Sequence, residues 1–168
     1  MSDVRLRDAH RTDATAIAEI WNPIIRDTVI TFNPVERSAD DIATMISDRQ
    51  RAGQAVLIAE SGGRVLGFAT YAQFRGGQGY ARTMEHTVNL GPGARGLGLG
   101  RALMDALERH AAAKGHHVMV AAITGSNRAS IGFHARLGYM QVGTMPQVGW
   151  KFGQCHDLVL MQKFLRAE

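Results

Sequence analysis

Residues 83–101, TMEHTVNLGPGARGLGLGR, hold the groupings in this chain best suited to chemistry. Met84, His86, Val88 and Leu90 alternate there with Glu85, Thr87 and Asn89. That period of two marks a strand with chemically different faces and sends the carboxylate of Glu85 and the imidazole of His86 to opposite sides. After a turn at Gly91, Pro92 and Gly93 come Arg95 and three glycines at alternate positions, Gly96, Gly98 and Gly100, directly before an amphipathic run. Glycines there let a ligand approach the backbone closely, and a helix that begins there offers unpaired N–H groups at the positive end of its dipole. The stretch reads as a phosphate site at the end of a two-faced strand.

Two familiar phosphate loops do not fit it. A Walker loop needs G-x-x-x-x-G-K-[ST], and no lysine follows these glycines. A dinucleotide fingerprint needs G-x-G-x-x-G with an acidic residue about twenty positions on. Here the spacing is G-x-G-x-G, and the corresponding region, Val120, Ala121 and Ala122, holds no carboxylate.

The elements that must position this stretch follow from pattern. Residues 4–7 read as a strand and 8–13 as a polar turn into a helix, with Thr12 and Asp13 as cap candidates and Ile17, Ile20, Trp21 and Ile24 at helical spacing. At 28–34 the pattern breaks, and an ordered apolar loop is expected whose Phe32 either walls a pocket or plugs the core. A second helix over 38–52 carries a capping box at Ser38 and Asp41. Strands at 55–60 and 65–74 form a hairpin, followed by a flexible loop at 75–80 with Arg75 as a buried cation at its root, suited to a carboxylate.

The glycine turn opens a helix over 98–113, and the uncharged run 118–123 reads as a strand covered on both faces. A short helix over 129–137 and strands at 139–148 and 156–164, linked through 149–155, complete the order. The result is an α/β (α+β) single domain: strand, two helices, three strands, helix, strand, helix, two strands, with a right-handed crossover in the middle.

Composition excludes several classes. The chain has 168 residues, and 45% hydrophobic with 20% charged is the balance of one globular domain with a real core. Its net charge of +4 comes from 19 basic and 15 acidic residues that are scattered, which suits a small anionic ligand better than a nucleic-acid track. The N-terminus lacks the apolar core of a signal peptide, no run has the length of a membrane span, and the single cysteine, Cys155, has no internal disulfide partner. A cytoplasmic location is expected. His116 and His117, as strand neighbours, face opposite ways and do not suggest a metal site, and the same holds for Cys155 and His156 as a nucleophile and its base.

The third type of phosphate turn does fit. Arg95 through Gly100 match the pattern Q/R-x-x-G-x-G/A of the GNAT superfamily of acetyl-coenzyme A-dependent N-acetyltransferases, with strand and helix correctly placed around it. The segments EHTV (85–88), NRASIGFH (127–134), LGY (137–139) and MPQVGWKFG (145–153) resemble the phosphinothricin and methionine sulfoximine acetyltransferase branch of that superfamily, over residues 4–164.

The resemblance implies one N-acetyltransferase domain over 1–168, a mixed central sheet of about seven strands flanked by about four helices. It implies transfer of acetyl from acetyl-CoA, with no metal, by direct attack of the α-amine of phosphinothricin, methionine sulfoximine or methionine sulfone. Glu85 would accept the ammonium proton, and His134, where many relatives have tyrosine, would serve as an acid near sulfur or as a core histidine. Backbone groups of Val88, Asn89 and Leu90 would pair with the acetyl and pantetheine amides. Gly96, Leu97, Gly98, Leu99, Gly100 and Arg101 would hold the pyrophosphate, and Asn127 would touch the cofactor or cap a helix.

Phe32, Arg75, Gly76, Gly77, Glu85, His86 and Thr87 would form the substrate side, with Arg75 on the carboxylate, and a homodimer is expected. Where relatives commonly have tryptophan beside the terminal strand, this chain has Cys155, which leaves side-chain specificity open. Two other readings remain: an acetyltransferase for a peptide N-terminus, lysine or polyamine, and a non-enzymatic acyl-CoA-binding module.

Overall fold

The computed structural model describes residues 4–166. Its strands are β1 (Arg5–Asp8), β2 (Val56–Ser61), β3 (Arg64–Gln73), β4 (Thr83–Leu90), β5 (Val118–Thr124), β6 (Met140–Lys151) and β7 (Gln154–Phe164). Its helices are α1 (Ala14–Asp27), α2 (Ala39–Arg51), α3 (Leu99–Ala113) and α4 (Arg128–Arg136). The sheet runs β1-β2-β3-β4-β5-β7-β6, and the β4–β5 pair alone is parallel among the described residues.

Each sheet face is covered by the helices whose apolar stripes require it. On one face, Ile17, Ile20, Trp21 and Ile25 of α1 and Ile42 and Ile46 of α2 close over Val56, Ile58 and Phe68. On the other, Leu103, Met104, Leu107 and Ala111 of α3 close over Tyr71, Met84 and Met119. Each fully buried large side chain contributes about 1.5–3 kcal/mol relative to exposure, so α3 is bound firmly to the sheet by its own periodicity. At α2 the Asp41 N–H donates to Ser38 Oγ and the Ser38 N–H to Asp41 Oδ2, both at 3.0 Å, which is the capping box its sequence spells.

The sequence reading needs correction at three places. The β6–β7 connection is a tight turn at Phe152 and Gly153, with Lys151 paired to Gln154, so both strands are longer than their alternation suggests. Exposed apolar residues along β6 blur the period there: Met140, Val142, Met145, Val148 and Trp150 all face solvent. On α1, Ile25 takes the core position and Ile24 borders a cleft. On β5, Ala122 is exposed between buried Ala121 and Ile123, because that face of the strand looks into the same cleft.

Candidate active site

The site exists because two strands part. The parallel pairing of β4 with β5 stops at Glu85 and Val120, whereas β4 stays paired with β3 as far as Leu90 opposite Gly67. From His86 onward one edge of β4 therefore has no strand beside it. A cleft of about 670 Å³ fills the fork, lined by residues 85–89 on one wall and 121–124 on the other. Backbone N–H and C=O groups on an open edge need partners, and a ligand with amides can supply them.

At the far end of β4 the glycine turn is shaped for an anion. Gly93, Gly96 and Gly98 have φ of 75°, 79° and 76°, so the turn takes a path that side-chain-bearing residues resist. Its backbone bonds are Ala94 N–H to Gly91 O at 3.2 Å and Ala102 N–H to Gly98 O at 3.1 Å. Between them, the N–H groups of Gly96, Leu97, Gly98, Leu99, Gly100 and Arg101 meet no backbone acceptor among the described residues, as expected for the first turn of α3. Gly100 serves packing: a Cβ there would lie 3.2 Å from Phe133 Cζ, so its absence lets α4 close against α3. The Arg101 guanidinium turns away and donates to Arg136 O at 3.1 Å, leaving its backbone as the part that faces an anion site.

Glu85 sits at the apex of the fork. Cross-strand pairing puts it opposite Ala72, and Thr87 opposite Thr70, on the face covered by α1 and α2. Its carboxylate takes no hydrogen bond from a described residue. Burial pushes its pKa up, and the Arg49 guanidinium works against that shift. Arg49 reaches in from α2 and donates to Thr70 Oγ1 at 2.9 Å, with Thr70 in turn donating to Ala55 O at 2.8 Å. A half-buried carboxylate with a nearby cation that does not neutralise it by contact is suited to accept a proton.

His86 faces the other way, as alternation requires, and meets His134 there. His134 Nδ1 lies 2.8 Å from Ser130 O, which can only accept, so Nδ1 carries the proton and Nε2 is bare. His86 Nε2, 3.1 Å away, must then be the donor to His134 Nε2. This leaves His86 Nδ1 as a bare lone pair, buried and without a partner among the described residues. Desolvation holds His86 down to about 3, with the neighbouring His134 also disfavouring a second charge there, and lowers His134 as well. The expected acid role of His134 does not fit: its Nε2 has no proton to give, and its lone pair is already engaged by His86.

The loop at 28–33 forms the remaining wall. Lys151 of β6 is 3% exposed, and its Nζ donates to Ile25 O, Thr28 O and Thr31 O at 2.5, 2.7 and 2.8 Å. Thr124 Oγ1 donates to Val29 O from the end of β5. The loop so held carries Phe32 to the cleft, half-buried and stacked on His156 with centroids 5.8 Å apart. The contacts of Lys151 and Thr124 have no local signature: Lys151 falls in the 149–155 segment read as a connection, where a lysine reads as solvated, and its partners lie more than a hundred residues away.

The structure brings Phe32, Arg75, Glu85, His86, Thr87, Val88, Asn89, Asn127 and His134 to the cleft wall. Gly76 and Gly77, exposed in the loop after β3, are not among the residues that line it. That loop is tied rather than flexible: Gln73 Nε2 donates to Arg75 O at 2.6 Å and Gly77 O at 2.8 Å. Arg75 is exposed, contrary to the expected buried cation, and lies over the Tyr80 ring at 5.9 Å. Asn127 caps α4, its side chain accepting from Ser130 N–H at 3.2 Å. Cys155 is exposed and pairs with Trp150 across β6 and β7.

Known proteins agree with this geometry. The model of the acetyltransferase (GNAT) family matches residues 17–139. The L-methionine sulfoximine/L-methionine sulfone acetyltransferase of Pseudomonas aeruginosa is 42% identical, with 94% of this chain and 92% of that protein covered. The phosphinothricin N-acetyltransferase of Alcaligenes faecalis is 33% identical, over 92% of this chain and 79% of that protein. A Salmonella typhimurium protein solved with its cofactor acetyl-CoA superposes with a TM-score of 0.95 at 38% identity, covering 99% of this chain and 96% of that one. A forked parallel pair that leads to a glycine turn, together with these matches, establishes that the chain belongs to the acetyltransferase (GNAT) family and takes acetyl-CoA as cosubstrate.

Proposed function

We propose that this chain, as one domain, acetylates the α-amine of small amino-acid analogues such as methionine sulfoximine, methionine sulfone and phosphinothricin. The observation that carries the reading is Glu85, an unbonded carboxylate held in a desolvated position where the β4 edge opens. Acetyl-CoA, when bound, supplies the acetyl group in activated thioester form. The residues of the chain do the rest. The open-edge backbone of Val88, Asn89 and Leu90 pairs with its amides, and an N–H there also steadies negative charge that builds on the acetyl oxygen. The N–H groups of Gly96 through Arg101 take the pyrophosphate, and Asn127 lies alongside.

Glu85 accepts a proton from the substrate ammonium, directly or through water, and so frees the amine lone pair to attack the thioester carbon; a C–N bond replaces the C–S bond, coenzyme A leaves as the thiolate, and the second amine proton reaches that thiolate through solvent. Arg75 takes the substrate carboxylate from the rim, with Gly76 and Gly77 giving the backbone room. Thr87 and Phe32 border the side chain, which lies among Trp21, Ile24 and Leu158. His86 and His134 form a neutral, mutually bonded pair that fixes the other wall.

We further read the protein as a cytoplasmic homodimer. One edge of the sheet, β6, shows Met140, Val142, Met145, Val148 and Trp150 to solvent, Trp150 at 65%, with Phe152 exposed in the turn that follows. An antiparallel edge strand is self-complementary about a two-fold axis, and a second copy of this chain would satisfy both its apolar side chains and its backbone. No helix among the described residues is long and apolar enough to cross a membrane.

The test is free-thiol release from acetyl-CoA with methionine sulfoximine, methionine sulfone, phosphinothricin, spermidine and an N-terminal peptide offered separately. Turnover with the first three supports the reading. Turnover only with the polyamine or peptide would overturn the substrate class, and acetyl-CoA binding without any turnover would overturn the enzyme.

A further inference from the structure

Phe32 sits where a side chain of β6 would otherwise be. A Cβ built on Gly149 would fall 2.4, 2.5 and 2.6 Å from Cε2, Cδ2 and Cζ of the Phe32 ring, closer than packed atoms come. Gly149 pairs with His156 across β6 and β7, and the ring stacks on that histidine with an interplanar angle of 18°. The ring thus lies over the Gly149–His156 pair, occupying the space of the missing side chain. His156 is itself fixed, its Nε2 lying 3.1 Å from Lys151 O, and Lys151 pins the loop that carries Phe32. Three residues of the β6–β7 hairpin, Gly149, Lys151 and His156, therefore hold one aromatic ring in a single place.

That ring borders the cleft together with Trp21, Ile24, Ile30 and Met145. We propose that Gly149 is a specificity-determining position, which sets the depth of the substrate side-chain subsite by letting Phe32 recede into the space over β6. The inference rests on the amino-acid acetyltransferase reading above and deepens it. It makes side-chain selection a property of the hairpin rather than of the cleft residues alone. Any side chain at 149 must displace the ring, and the pinned loop leaves the ring little direction to move except toward the cleft.

The experiment is steady-state thiol release with methionine sulfone for four proteins: the parent, Gly149→Ala, Phe32→Leu, and the two changes together. Gly149→Ala is expected to raise KM for methionine sulfone by roughly tenfold or more, the scale on which a methylene of pocket volume acts, with KM for acetyl-CoA changed less than twofold. In the Phe32→Leu background the same change should have no further effect, since the clashing ring is gone. Circular dichroism melting of all four separates loss of fold from loss of fit. An unchanged KM in Gly149→Ala, an equal rise for both substrates, or the same penalty with leucine at 32 would overturn the inference while the function stands. A parent inactive on methionine sulfone and on the other amino-acid analogues would overturn both.

Discussion

Acidification to pH 5 should weaken this fold through one residue above all, His86. In the unfolded chain its imidazole titrates at the ordinary 6.5, whereas in the folded protein desolvation and the facing His134 push it down to about 3. The unfolded state therefore binds more protons than the folded one throughout that interval, and stability falls as pH drops from 6.5 toward 3. At pH 5 the unfolded chain has gained about 1.5 pH units of protonation free energy, which at about 1.36 kcal/mol per unit is about 2 kcal/mol. At pH 7.5 the contribution is close to zero. Asp13 and Asp41, held below the usual carboxylate range by Arg7 and Ser38, lose their contributions only at lower pH, whereas Glu85, raised by burial, titrates in the same range as the histidines, so the His86 share is read from parent against variant. Urea unfolding at pH 7.5 and 5 measures the difference. His86→Gln retains a donor toward His134 but cannot titrate, so its decrement between the two pH values should be smaller by about 2 kcal/mol. Equal decrements in parent and variant would refute the reasoning, because His86 would then not be a neutral buried group.

Two further outcomes follow from the same geometry. Lys151→Met leaves the carbonyls of Ile25, Thr28 and Thr31 without their shared donor and should cost about 3 kcal/mol in urea unfolding, with a rise in KM for the amino-acid substrate as Phe32 loses its support. Arg49→Met removes the cation that opposes the burial shift of Glu85, so the acid limb of the kcat/KM profile should move to higher pH; Arg49→Lys should leave the limb in place, and a uniform drop in kcat with no movement would make Arg49 merely structural.

Much of the fold was legible because its signals are local. The strand period from Met84 to Leu90, the glycines at 96, 98 and 100, and the capping box at Ser38 and Asp41 each report a constraint that neighbouring residues satisfy among themselves. The element order follows, as does the opposite facing of Glu85 and His86. What stayed hidden depends on contacts distant in sequence. Lys151 reaches carbonyls more than a hundred residues away, Thr70 and Arg49 meet through a sheet and a helix, and Gly149 is explained only by a ring at position 32. The His86–His134 bond was equally out of reach, since the identity of two histidines says nothing of which nitrogen carries the proton. The β6 edge misled in a different way: its exposed apolar residues break the alternation that defines a half-buried strand, so its length was underestimated.

The central claim is that Glu85, at the point where β4 and β5 part, accepts the substrate proton. Glu85→Gln keeps the shape and removes the acceptor. The decisive measurement is kcat for methionine sulfone, together with acetyl-CoA affinity by calorimetry, for parent and variant from pH 6 to 9. The account predicts a fall in kcat of roughly a hundredfold or more at neutral pH, on the scale of a lost general base, partly recovered as pH rises, with acetyl-CoA affinity unchanged. An unaltered kcat across the range would contradict it.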